Sequence, residues 1–191
     1  TSTTPDALAA KNRLAIVSQG WQGLTLAQRN AWAAWAQTNP MLNRLGQSIV
    51  VSPNAAYTML NTRLLQIGAA QIALPPTAVA PPGLTTLSLE ADIGAGDVAI
   101  TFTPNPLGAG HRARVFAAVS DSASLNYIRN LLRFIQVGAA ATDSPLDIEA
   151  ALEAKFGSLQ VGQTAHVQVD VIDASGQTSA PLRARATVVS T

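Results

Sequence analysis

The sequence predicts an α+β chain whose helices and strands are segregated, a helical N-terminal region leading into a β-sandwich. Three observations point there. Residues 1–73 carry helix-capping signals and apolar residues at helical spacing. From Leu84 the apolar period changes to two, in short runs punctuated by Gly, Pro and Asp, the pattern of sandwich strands. Between the two, Leu74–Gly83 holds two proline pairs and no charge, an extended, semi-rigid spacer. The predicted division is therefore 1–73 helical, 74–83 linker and 84–191 sandwich.

In the helical region, Thr4 stands as N-cap and Pro5 as first residue of a helix to about residue 18, an ordered arm rather than a core element. Thr25-Leu26-Ala27-Gln28 is a capping box, in which Thr25 and Gln28 satisfy each other's free amides. Its helix runs through Trp35-Ala36 and stops before Asn39-Pro40. All three tryptophans fall within fifteen residues, Trp21 to Trp35, in a chain only 5% aromatic. Trp32 and Trp35, three apart, share one helix face. Core packing is the first reading of these rings and a docking face the second. Trp21, in a Gly-Trp-Gln-Gly turn outside the helix, has no evident internal partner. Ile49-Val50-Val51 reads as a short strand. Ser52-Pro53 opens a third helix, with Ala56, Leu60, Leu64 and Ile67 in one stripe and Gly68 as terminator. The tryptophan face is expected to pack on that stripe.

In the second region, Leu87, Leu89, Ala91 and Ile93 alternate, and Gly94-Ala95-Gly96-Asp97 makes a turn. Val98, Ile100 and Phe102 follow, then Ala113, Val115, Ala117 and Val119 with Arg112 and Arg114 facing outward; with Arg183 and Arg185 these read as solvated outer-face residues with interface duties, a basic patch being the second reading. Ala165, Val167, Val169 and Val171, and finally Ala184, Ala186 and Val188, complete the pattern. Tyr127–Val137 reads as a strand or a helix, the strand preferred. Asp143-Ser144-Pro145 looks like a helix start, with Ile148, Leu152 and Phe156 on the buried edge and Gly157 as its end.

Composition excludes several functions. With no cysteine there is no disulfide, thiolate site or cysteine nucleophile. Only 12% of residues are charged, about half the usual share, a surface suited to packing against neighbours. The net charge of +1 gives no general attraction to nucleic acid or membrane. Through Gly83 five bases (Lys11, Arg13, Arg29, Arg44, Arg63) face one acid, a net +4; the rest has seven bases and ten acids, −3. The uncharged run Leu64–Leu89 is broken by four prolines and is no membrane helix. Thr1–Asp6 lacks a signal-peptide pattern, and a small first residue is what loss of an initiator methionine leaves. Gly94–Ala99 and Gly108–Ala113 match a loose dinucleotide fingerprint, but between strands, where no helix start receives a phosphate. His111 and His166 share no metal-ligand spacing with a carboxylate. Asp143, Asp147, Glu149 and Glu153 are helix-start and solvent-face charges. No enzyme, cofactor or metal is expected.

Two resemblances follow. Phe156–Pro181 resembles the second half of a fibronectin type III module, with Leu159, Gly162, Asp173, Gly176, Ser179 and Pro181 in the family's turn positions. Ala165 stands where an aromatic is common, Phe102 occupies the strand of the usual early tryptophan, and a helix is inserted. The region from about residue 83 to 191 is thus expected to be fibronectin type III/immunoglobulin-like. The whole chain resembles virion proteins of tailed phages and prophages. Leu24–Ala36 matches their "LTxxQRxAWxxWA" segment, Leu45-Gly46-Gln47 their turn, Tyr57 their tyrosine-bearing helix, and Phe102–Arg112 their "FTPxPLxAGHR" entry. That resemblance implies a virion structural protein, made in the host cytoplasm and placed on the capsid surface. The expected role is capsid decoration or cement, bridging neighbouring subunits. Its partners would be the major capsid protein or another virion protein and further copies of itself. Trp21, Trp32, Trp35, Arg112 and Arg114 are the expected interface residues. The alternative is a tail or surface-displayed module binding a glycan or receptor.

Overall fold

Thr4 accepts a hydrogen bond from the Ala7 amide at 3.3 Å, and Pro5 opens the first helix, α1 (Pro5–Gln22). The computed structural model that shows this describes residues 4–43, 45–122, 125 and 127–191. The reading of Thr1–Thr3 and the contribution of Arg44 to the basic count lie outside those residues. Packing divides the chain into two units, Thr1–Val79 with Ala174–Gly176, and Ala80–Asp173 with Gln177–Thr191.

In unit 1, α1 continues past residue 18 and holds both Gly20 and Trp21, so Trp21 does not lie in a turn outside a helix. The reason is a close helix crossing: a Cβ at Gly20 would stand 2.5 Å from the Tyr57 hydroxyl. A glycine here costs about 1 kcal/mol of helix propensity and permits that approach. The second helix, α2 (Leu26–Thr38), begins at the expected capping box. The Thr25 amide donates to Gln28 Oε1 at 2.8 Å and the Gln28 amide to Thr25 Oγ1 at 3.3 Å. A two-stranded hairpin follows, β1 (Met41–Leu42) with β2 (Ser48–Ile49). Asn43 closes its turn by accepting from the amides of Leu45 and Gln47. The strand expected at Ile49–Val51 therefore sits at Ser48–Ile49, where pairing of Ile49 with Met41 fixes the register. Ser52 caps α3 (Pro53–Gln66), and Gly68 takes the left-handed conformation (φ 73°) just beyond it.

The core of this unit is Val17, Trp32, Ala36, Ala56, Tyr57 and Leu60. Trp32 is fully buried, edge-on to Tyr57 at 5.4 Å between centroids and to Trp35 at 5.9 Å. Its indole N–H donates to the Ala73 carbonyl at 3.0 Å. Buried Asn61 accepts from the Ile72 amide at 2.7 Å and donates to the Tyr57 and Ile72 carbonyls, fixing the segment after α3 against that helix. The tryptophan face thus meets Tyr57 as well as Leu60. Leu64 and Ile67 are buried but stand outside this cluster.

Unit 2 is sandwich-like, with all its strand pairs antiparallel. Its strands are β3 (Thr86–Asp92), β4 (Asp97–Thr103), β5 (Arg112–Ser120), β6 (Arg133–Val137), β7 (Leu146–Asp147), β8 (Thr164–Ile172) and β9 (Leu182–Thr187). One sheet runs β3-β4-β7, the other β6-β5-β8-β9. The inward residues of both make one core: Val98, Ile100 and Phe102 from the first, and Ala113, Val115, Ala117, Val167, Val169 and Val171 from the second. In the stretch read as strand or helix, only Arg133–Val137 is strand, with a turn before it.

The helix start expected at Asp143 is displaced. The Ser144 hydroxyl accepts from the Phe102 amide at 2.9 Å, and its own amide and carbonyl bond the Asn105 side chain. Held extended, the chain pairs Leu146 with Ile100 as β7, and the fourth helix, α4 (Glu149–Phe156), starts three residues later. Local capping preference lost to tertiary hydrogen bonds. Ile148 and Leu152 enter the sandwich core as the chain passes from one sheet to the other.

Replacing Trp32 by alanine removes a fully buried ring with its hydrogen bond. The expected loss is about 3–5 kcal/mol, seen as a lower urea midpoint and reduced helical ellipticity.

Candidate functional site

The expected interface tryptophans divide. Trp32 is wholly internal and presents nothing outward. Trp35 is half-buried against it. Trp21 is half-buried as well and has internal partners: its ring lies 5.4 Å from Tyr57, and the Arg29 guanidinium stands 5.6 Å over it. Arg29 also donates to the Trp21 and Gln22 carbonyls at the end of α1. The expectation that Trp21 lacks an internal partner is corrected, although the ring keeps an exposed edge.

The reading of Arg114 as a solvated outer-face interface residue is corrected in the same way. Arg114 and Asp170 face each other across β5 and β8, and both are buried. Arg114 Nε donates to Asp170 Oδ1 at 2.9 Å and Nη2 to Oδ2 at 2.8 Å, a two-pronged pair. The guanidinium lies 5.0 Å from the Phe116 ring, itself edge-on to Phe134. Outward parity was read correctly, but burial and the acid opposite leave Arg114 no free charge to offer. Arg112 is half-buried at the start of β5. Arg183 and Arg185 are exposed on β9, and Arg183 Nε donates to Gln168 Oε1 at 2.9 Å.

Next along this outer face lies a feature the sequence did not reveal. His166 points outward from β8, opposite Ala118 and Arg185, yet is only 3% exposed. It lines a cavity of about 340 Å³ with Leu125, Ile128, Arg183, Ala184 and Arg185. A second cavity of about 180 Å³ is lined by Thr164, Arg185, Ala186 and Thr187. His166 Nε2 and Thr164 Oγ1 are buried without a hydrogen-bond partner among the described residues. Burial, and secondarily the charge of Arg185, holds the imidazole below its ordinary pKa, so it is neutral near pH 7. Strand alternation announced His166 as outward. Nothing in it could announce that Leu125 and Ile128, remote in sequence, would line the same cavity.

Elsewhere the glycine-rich stretches are strand connections: Gly94–Gly96 joins β3 to β4, with Asp92 accepting from the Gly94 and Ala95 amides. Four hydrogen bonds, from Thr191 and these two amides, hold the Asp92 carboxyl below its usual range. Asp147 accepts from the Glu149 amide at the start of α4. Among the described residues, no three His, Asp or Glu side chains gather as a metal-binding group, and no helix is long and apolar enough to cross a membrane. No protein-family model matches the chain, and no curated protein matches it significantly.

Two outcomes follow from the outer face. Arg114→Met strands Asp170 as a buried charge and should cost about 3–5 kcal/mol, whereas the double change with Asp170→Leu should recover most of that in thermal denaturation. For His166, the folded pKa lies below the unfolded value near 6.5, so its stabilising contribution is complete above that pH. It declines as pH falls from about 6.5 toward the folded pKa. His166→Gln should flatten this part of the stability–pH curve measured by urea titration.

Proposed function

We propose that the protein is a virion structural component, a capsid decoration or cement protein that binds the capsid surface and bridges neighbouring subunits. The observation that carries this reading is the apolar surface of unit 1. Along α1 every residue from Pro5 to Asn12 is exposed, and Leu8, Leu14 and Ile16 stand at about half exposure. In the hairpin region Leu42 is 74% and Leu45 82% exposed, with Ile49 and Val50 beside them. Exposed apolar groups in such number mark surfaces that meet other proteins. A helix draws most of its stability from packing one face, and only Val17 of α1 is fully buried within this unit. The low charge content and the resemblance of Leu24–Ala36 and Phe102–Arg112 to tailed-phage virion proteins support the same reading.

Unit 2 supports a fibronectin type III-like module as the carrier of that surface. Its first, second and fifth strands share one sheet, and its third, fourth, sixth and seventh the other. In the constant-type immunoglobulin sandwich the fourth strand stays with the first sheet; here β6 pairs β5 in the second. Phe102 is buried from β4, the strand of the family's early tryptophan, and Leu159 is buried ahead of β8.

The reading is tested by mixing the purified chain with capsid shells assembled from the major capsid protein of the genome that encodes it. Co-sedimentation and a raised shell melting temperature are expected. Retention on a glycan array with no effect on shells would favour the adhesive alternative. Leu42→Asp combined with Leu45→Asp should reduce shell binding at least tenfold. Its own stability should shift by no more than about 0.5 kcal/mol per substitution, as at other surface positions.

A further inference from the structure

We propose that copies of this chain stack head to tail through unit 2, the outer face of the four-stranded sheet of one copy docking on the outer face of the three-stranded sheet of the next. The inference goes beyond the assembly reading and does not rest on it, since it concerns contact between copies without a shell. Its ground is a segregation of charge between the two sheets. β3, β4 and β7 hold four acids, Glu90, Asp92, Asp97 and Asp147, and among the described residues no Lys or Arg. β5, β6, β8 and β9 hold five arginines, Arg112, Arg114, Arg133, Arg183 and Arg185, and one acid, Asp170. The strands of one sheet thus sum to −4 and those of the other to +4.

What reaches solvent keeps that division. Strand pairing sets Glu90, Ala99 and Asp147 in one row across the three-stranded sheet, and Asp97 lies two residues from Ala99 on the same face. These three carboxylates are exposed, whereas Asp92 is buried in its bonds with Thr191 and the turn amides. Glu90 and Asp147 stand two strand spacings apart, about 10 Å, with only Ala99 between them. On the other sheet Asp170 cancels Arg114. The outward charge that remains is carried by Arg183 and Arg185, exposed on β9, with half-buried Arg112 on β5 and Arg133 at the β6 edge.

Like charges gathered on one face repel, and a face of opposite sign relieves both at once. A second copy supplies that face, because every copy carries one of each sign. The two faces differ, so the contact is heterologous: it extends into a stack or closes into a ring, and does not end at a symmetric dimer. Ser88, Ala99 and Thr101 make a low floor on the acidic side, and half-buried Phe116 and Phe134 bring apolar area from the other. Three strands of at most seven residues span about 15 by 24 Å, well under the roughly 800 Å² per partner of a stable complex. The contact is therefore weak, and forms where copies are concentrated.

Small-angle X-ray scattering of the purified chain, over a concentration series reaching about 1 mM, tests this. Mean mass should rise with concentration in low salt, and the association should weaken at least tenfold in high salt. Two variants separate the faces, all at exposed positions. Glu90→Gln with Asp97→Asn depletes the acidic face, and Arg183→Gln with Arg185→Gln the basic one. Each alone should associate at least tenfold more weakly than the parent, with its melting temperature unchanged. Mixed, each still offers the face that the other lacks, so together they should form a one-to-one pair of parental affinity that grows no further. The proposal is overturned if the parent stays monomeric across the series, if either variant alone associates like the parent, or if the mixed variants fail to pair.

Discussion

The Trp32 ring is the point on which the helical unit depends. It brings α2 against Tyr57 of α3, and its N–H reaches the carbonyl of Ala73, beyond the end of α3. Few other bulky side chains share that centre: the buried cluster is otherwise Val17, two alanines, Tyr57 and Leu60. In so small a core one ring supplies a large share of the apolar area, and its polar atom must be satisfied where water is excluded. Asn61 performs the matching task one turn along, since its amide group bonds both sides of the Ile72 peptide. Together they hold a segment with no regular structure of its own.

The sheets solve the same shortage of bulk differently. Ala113, Ala117 and Ala165 lie among valines in the facing layers, and Ile148, Leu152 and Leu159, from the connection between sheets, complete the core. The crossing chain is thus part of the packing and not a loop laid over it. On the opposite face, polarity is contained by pairing. The Arg114–Asp170 pair and the two phenylalanines beside it form a covered strip, and the open positions fall further along, at β9.

Much of this was legible in the residues because local signals and the tertiary result agree. The capping box at Thr25, the Ser52-Pro53 start, Gly68 and the alternating runs around Val98, Val115 and Val167 each specify their element unaided. Disagreement arose where distant groups decide. Trp21 lies inside α1 because Gly20 lets the helix continue past Tyr57, and Ser144 caps nothing because the Phe102 amide claims its hydroxyl. For the candidate sites the same division holds. The outward parity of Arg114 and His166 is written in the strand period, but their burial is not. Around Arg114 it comes with Asp170, 56 positions away, and Leu125 and Ile128 stand near His166.

The two outward-facing features of the molecule would answer differently to ionic strength. The exposed leucines of α1 and the hairpin carry no charge, so a contact made through them is indifferent to a Debye length of about 10 Å at 0.1 M salt and is strengthened by excluded salts such as sulfate. Arg183 and Arg185, exposed on β9, would meet a neighbour through charge at an open surface, where added ions compete and screen. A single chain would thereby keep a salt-tolerant grip through its leucines while any contact made through these arginines loosened as the medium became more concentrated.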